Sequence, residues 1–211
     1  MKIPNWPIFD KQDVEEVSKC LLSGKVNYWT GNQGKQFEIE FSRKFGTKYS
    51  VALANGSLAL ELAYRSLGLQ EGDEFITTPR TFIATTSAGV ILKALPVFAD
   101  VDPDSGCITA ENIEPLITKK TKLISVVHLA GWPADMEKIM DLAQNHKLKV
   151  VEDCSQAHGA LFNDKDVGTF GDVSTWSCCQ DKIMSTGGEG GILSTNNKDL
   201  WNFVWSYKDH G

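Results

Sequence analysis

Leu148-Lys149-Val150-Val151-Glu152-Asp153 is followed directly by Cys154-Ser155-Gln156-Ala157-His158-Gly159. It is a short apolar run that ends in two carboxylates and a turn of small residues. A strand of this kind is buried on both faces, because a half-exposed strand alternates apolar with polar positions. Similar runs stand at 49–53 (YSVAL), 74–78 (EFITT), 95–101 (LPVFADV) and 122–129 (KLISVVHL). Helical patterns at 56–68, 81–93, 110–119 and 135–146 separate them. Strand–helix alternation implies right-handed crossovers and a mostly parallel sheet with helices on both faces. Two later runs, DVSTWSC (172–178) and GGILST (190–195), are joined by a short connection, which suits an antiparallel pair. The expected fold is therefore α/β and doubly wound, with one antiparallel strand in the central sheet.

The flanks read as helices. Residues 10–23 open on an Asp cap and place Val14, Val17, Leu21 and Leu22 at helical spacing, with Gly24 as the stop. An aromatic, Gly-rich loop (VNYWTGNQG, 26–34) leads to a helix over 34–46 with Phe37, Phe41 and Phe45 on one face. A last helix is expected over 197–209. The division this suggests is 1–30 as an N-terminal helix and substrate-side loop, and 31–211 as the large domain.

The bulk numbers exclude several classes. With 42% hydrophobic and 23% charged residues, the 211-residue chain has the balance of a globular protein rather than a disordered one. A net charge of -6 argues against nucleic-acid binding, which needs clustered Lys and Arg. The start, with Pro4 and Pro7, has no apolar core of a signal peptide, and no run is long enough to span a bilayer. Cys20, Cys107, Cys154, Cys178 and Cys179 lack metal-ligand spacing and read as free thiols in a reducing compartment. The expectation is a cytoplasmic protein with no metal site and no membrane partner.

In open parallel sheets, ligands collect outside the carboxyl ends of the strands. After 49–53 comes Ala54-Asn55-Gly56-Ser57, a turn that opens a helix and exposes backbone N–H groups to an anion, although a plain N-cap reads the same way. After 74–78 comes Phe82, placed to stack on a flat ring or to fill a core. Asp153 ends a buried strand, where a carboxylate is costly unless it meets a positive partner; a protonated pyridine nitrogen is one, and an N-cap or a structural ion pair are the alternatives. Lys182 lies between Cys178-Cys179 and the turn Gly187-Gly188-Glu189-Gly190-Gly191, unusual company for a surface lysine. His128 and His158 each follow a strand, where a satisfied buried histidine is the commoner state. A phosphate cradle, a stacking ring, a strand-end Asp and a sheltered Lys together make a complete site for pyridoxal 5′-phosphate (PLP).

The chain then resembles a known family, the PLP-dependent sugar aminotransferases of the DegT/DnrJ/EryC1/StrS type, within the fold-type I superfamily. The blocks that carry the resemblance run the length of the chain: Trp29-Thr30-Gly31, Asn55 to Leu60, Gly72-Asp73-Glu74, Thr81 to Ala84, Leu95 to Phe98, Val127-His128-Leu129 with Pro133 to Met136, Glu152-Asp153 through Gly159, and Gly187 to Gly191. The resemblance implies that Lys182 forms the Schiff base and Asp153 holds the pyridine nitrogen. It implies that Gln156 bonds the ring hydroxyl, that Gly56, Ser57 and Ser177 hold the phosphate, and that Phe82 stacks on the ring. Trp29, Thr30 and His128 are the candidates for the sugar pocket. The implied reaction moves an amino group, with glutamate as donor, to a nucleotide-linked keto sugar. The implied assembly is a homodimer, and the family's smaller C-terminal domain is expected to be absent from this chain. Cys-Cys-Gln-Asp before Lys182 departs from the family pattern of an aromatic followed by a Pro-Thr or Asn-type pair.

Three other readings stand beside this one. A PLP-dependent sugar dehydratase would carry His at the position of Lys182. A non-catalytic regulatory or structural piece of the same fold is a second. An NAD-binding domain is a third, opposed by Ala-Asn-Gly-Ser where G-x-G-x-x-G belongs.

Overall fold

A computed structural model describes residues 5–210; Pro4 and Gly211 lie outside the described residues. Among the described residues, the central sheet has seven strands. In chain order these are β1 (Tyr49–Leu53), β2 (Glu74–Thr77), β3 (Leu95–Phe98), β4 (Thr121–Val127), β5 (Lys149–Asp153), β8 (Val173–Ser177) and β9 (Gly191–Thr195). A two-stranded hairpin of β6 (Leu161–Phe162) and β7 (Lys165–Asp166) stands apart from it. The spatial order is β1-β9-β8-β5-β4-β2-β3. All neighbours from β8 to β3 are parallel, while β9 runs antiparallel to both β8 and β1. The mostly parallel sheet with one antiparallel strand is thus as the sequence predicts.

Strand alternation divides the core. Phe75, Leu123 and Val151 pack on one face of the sheet with Leu60 and Tyr64 of α3 (Gly56–Ser66) and Ala84 and Ala88 of α4 (Ala84–Ile91). Their chain neighbours Ile76, Ile124 and Val150 point the other way, onto Met136, Ile139 and Leu142 of α6 (Met136–His146). A third cluster gathers Phe41 of α2 (Gln33–Lys44) and Phe45, its C-cap, around the fully buried Trp176 of β8, with Phe37 packed against its edge. Burying one such aromatic contributes on the order of 2–3 kcal/mol, so the expected apolar face of α2 is what fixes that helix to the sheet.

Several elements differ from the sequence reading. The helix expected over 110–119 is a four-residue α5 (Ala110–Ile113) that tightens into a 3₁₀ turn at Glu114–Leu116, because Pro115 has no N–H to continue the ladder. The helix expected from 81 starts at Ala84, leaving Thr81 and Phe82 on the approach to it. α1 (Lys11–Leu22) forms, with a reciprocal cap between Asp10 and Asp13, yet buries none of its residues, and Val14, Val17, Leu21 and Leu22 are all exposed. All five cysteines are free. Among the described residues, no helix is long and apolar enough to cross a membrane.

Candidate active site

The carboxyl ends of the strands β1, β2, β4, β5 and β8 border one cleft of about 380 Å³, within the usual range of small-molecule sites. Its wall includes Gly56, Ser57, Phe82, Asp153, Gln156, Ser177 and Lys182, so the structure brings together the seven residues assigned to the cofactor from sequence. Asn55, Thr81, Thr85, Val127, Cys179, Asp181 and Glu189 line it as well.

One end is built for an anion. Asn55 caps α3 by accepting from the Leu58 N–H at 2.9 Å, and its carbonyl accepts from the Ala59 N–H. The amides of Gly56 and Ser57 are then the first-turn donors at the cleft wall, with the helix dipole behind them. Only glycine fits at two positions here. A Cβ on Gly56 would lie 2.9 Å from the Cβ of Ser177, and one on Gly191 would lie 2.2 Å from the carbonyl of Asn55. The close approach seats Ser177, at the end of β8, against the start of α3.

The other end is built for a cation. Asp153 closes β5 and is 5% exposed. Its Oδ1 accepts from the Ser155 N–H at 3.1 Å and its Oδ2 from the Thr85 hydroxyl at 2.8 Å. Among the described residues, no Lys, Arg or His forms an ion pair with it. A buried carboxylate in that condition calls for a positive group from outside the chain.

Lys182 follows the cleft wall from the β8 side. Its side chain is 20% exposed and its Nζ lies 3.0 Å from Oδ2 of Asp181, whose carboxyl that hydrogen bond and one from Cys179 hold below the usual range. The Lys182 carbonyl accepts from the indole N–H of Trp6 at 3.0 Å. Gln156 accepts from the Ala130 N–H at 2.7 Å through Oε1, which leaves its amide NH₂ as the group it offers the cleft. Phe82 is 67% exposed, so it serves no core. Electron-sink chemistry on PLP needs a phosphate cradle, a carboxylate for the ring nitrogen, a stacking ring and an amine. The residues present fit that group.

The three sugar-pocket candidates do not join the cleft. His128 is fully buried: its Nδ1 accepts from the Ala134 N–H at 3.1 Å, so the ring proton sits on Nε2 and donates to Glu152 at 3.1 Å. The reason is strand alternation; Val127 faces the cleft, and the next side chain turns to the opposite side. Trp29 packs edge-on against Trp205, with ring centroids 5.8 Å apart, and Thr30 bonds Asn27 at 2.9 Å. His128, Glu152 and Cys154 bring three potential metal donors within 4.8 Å of one another. The first two are committed to protein hydrogen bonds, since Glu152 also accepts from the backbone N–H groups of Gly168, Phe170 and Gly171.

Thr85, Asp181 and Glu189 are cleft residues that sequence reasoning missed. Asp181 and Glu189 were legible as neighbours of Lys182. Thr85 carried only the weak signal of lying one helical turn beyond Thr81.

Residues 7–211 match the model of the DegT/DnrJ/EryC1/StrS aminotransferase family, whose members work with PLP. The chain is 40% identical over 205 residues to a GDP-perosamine synthase of Escherichia coli O157:H7, covering 97% of this chain and 56% of that protein. It is 44% identical over 186 residues to a UDP-N-acetyl-3-dehydro-alpha-D-glucosamine 3-aminotransferase of Acidithiobacillus ferrooxidans, covering 88% and 50%. The crystal structure of an aminotransferase from Psychrobacter cryohalolentis superposes with a TM-score of 0.98 at 52% identity, over 100% of this chain and 53% of that one. The chain thus spans about half the length of the curated relatives it matches. By its sequence, its fold and its cleft, the chain belongs to the DegT/DnrJ/EryC1/StrS aminotransferase family.

Proposed function

We propose that this protein is a PLP-dependent aminotransferase that places an amino group on a nucleotide-linked keto sugar, with glutamate as donor, and that it works as a cytoplasmic homodimer. The observation that carries the reading is Asp153: a buried carboxylate with no cation paired to it among the described residues, on the wall of the same cleft as Lys182. Relatives that act on GDP- and UDP-linked sugars supply the substrate class, and the nucleotide differs between them.

PLP, when bound, supplies an electron sink for the carbon that loses its proton. The chain's own residues do the rest. The amides of Gly56 and Ser57, with the Ser177 hydroxyl, hold the phosphate. Phe82 covers one face of the ring and excludes water there. The Gln156 amide donates to the ring hydroxyl. Asp153 keeps the proton on the ring nitrogen, a preorganised charge of the kind worth several kcal/mol of barrier. Lys182 would be the amine that holds the cofactor, and its freed Nζ would serve as the base that moves the proton at the donor's α-carbon. Asp181, beside that amine, is the acceptor that holds it when it is protonated.

The test is a panel of GDP-, UDP- and dTDP-linked keto sugars incubated with the protein, PLP and glutamate, with products read by mass spectrometry. One member of the panel is expected to become an amino sugar, and Lys182→Ala to give none. PLP binding without amination of any panel member would reject the substrate class.

A further inference from the structure

We propose that Thr85 is a positioning residue for Asp153, the end of a hydroxyl relay that fixes the carboxylate's plane and holds it facing the cleft. The inference rests on the reading of Asp153 as the partner of a cationic ring nitrogen. The terminal torsion of an aspartate is broad, so a carboxylate at a strand end can swivel unless both oxygens are tied. Here both are tied, Oδ1 by the Ser155 N–H and Oδ2 by the Thr85 hydroxyl. A carboxylate only accepts, so Thr85 donates to it; the Thr81 hydroxyl, 3.0 Å away, therefore donates to Thr85. The relay has a direction, from Thr81 at the cleft wall through Thr85 to Asp153.

The backbone of Thr85 is held with equal care. Its carbonyl accepts from the Tyr64 hydroxyl at 2.7 Å, and that hydroxyl also meets the Ser125 Oγ at 2.8 Å. Tyr64, Thr85 and Ser125 are each fully buried, at 0% exposure. Tyr64 comes from α3, Ser125 from β4 and Thr85 from α4, so contacts from three elements seat the residue that donates to Asp153 at the end of β5. A hydrogen bond donated to an ionised oxygen is about twice as strong as a neutral one. Losing it frees the carboxylate to turn and weakens its hold on a ring proton.

The experiment compares Thr85→Val, Thr85→Ala and Thr85→Ser in the PLP-loaded protein. Three quantities are read: the PLP dissociation constant, the resonance of ¹⁵N at the cofactor's ring nitrogen, and kcat and KM for the amino donor. Val and Ala lack the donor, and Ser retains it. The expected result is a ring-nitrogen resonance shifted toward the unprotonated form in Val and Ala, a kcat lowered about 10- to 100-fold with KM for the donor within about threefold, and both signals restored in Ser. If Val does not fold, Ala against Ser decides by the same readings. A wild-type resonance and kcat in whichever hydroxyl-free variant folds would overturn the inference while leaving the aminotransferase reading intact. So would a loss in Ser equal to that in Ala. Failure of the wild-type protein to bind PLP would instead strike the underlying reading.

Discussion

Glu152 and Asp153 are adjacent in sequence and turn to opposite sides of β5. Asp153 faces the cleft and bonds Thr85, while Glu152 is fully buried among His128 and the amides of Gly168, Phe170 and Gly171. One carboxylate serves the site; its neighbour ties the segment around β7 to the strand that carries the site.

Glu152→Gln should destabilise the fold without touching the cleft. Burial pushes the Glu152 carboxyl up, but the bonds from His128, Gly171 and Gly168 outweigh it and hold the group below its ordinary value. Glutamine replaces one acceptor oxygen with an NH₂ that faces N–H donors, at a cost of about 2–4 kcal/mol. Urea unfolding measures it. Because the folded value is lowered, the contribution is complete above the ordinary carboxylate range and is lost as pH falls through the folded value.

His158 gives a second, separable pH window. Its ring lies against Trp176 and Phe45 with both nitrogens buried and, among the described residues, unpartnered, and burial, assisted by Lys182, lowers its pKa from 6.5 to about 4. The unfolded chain therefore binds a proton between those values that the folded chain does not, so stability falls on acidification from about 6.5 to about 4, by at most ~3 kcal/mol. His158→Phe should flatten that segment of the stability–pH curve. An unchanged slope would show that another group titrates there.

Gly56→Ala should damage cofactor binding and stability together. The added methyl meets the Cβ of Ser177 at 2.9 Å, and both partners belong to well-seated elements. Overpacking of this kind costs about 1–3 kcal/mol. A visible-absorption titration with PLP should show a dissociation constant raised at least about tenfold, and a thermal melt should show a lowered Tm.

Phe82→Ala should separate binding from folding. Phe82 is 67% exposed and contributes to no core cluster. Removing it should leave unfolding free energy within about 0.5 kcal/mol and weaken PLP binding by about 2- to 12-fold, the worth of one aromatic stack. A large loss of stability would assign Phe82 to packing instead.

The parallel strands were legible because being buried on both faces leaves a continuous apolar run, as at Val150-Val151 and Leu123-Ile124. The cleft wall was legible because its residues follow strand ends, where this topology collects them. What the residues did not disclose depends on direction. Whether His128 or Val127 faces the cleft turns on strand register, which is set by pairing with β5, where Val127 stands opposite Asp153. The 161–166 hairpin has two residues per strand, too short for any periodicity to register. The relay through Thr85 joins positions 68 residues apart and leaves no local pattern. In α1 the apolar spacing gave the helix correctly, but spacing alone does not say what covers that face.

The central claim is that Lys182 and Asp153 hold one aromatic heterocycle between an amine and a carboxylate. The direct measurement is to mix the protein with PLP, record the visible spectrum, reduce with borohydride, and sequence the labelled peptide. The account predicts a visible band that borohydride abolishes and a single modified residue, Lys182, with labelling lost in Lys182→Ala and PLP affinity weakened in Asp153→Ala. A stable adduct on a different lysine, or no band at saturating PLP, would contradict it.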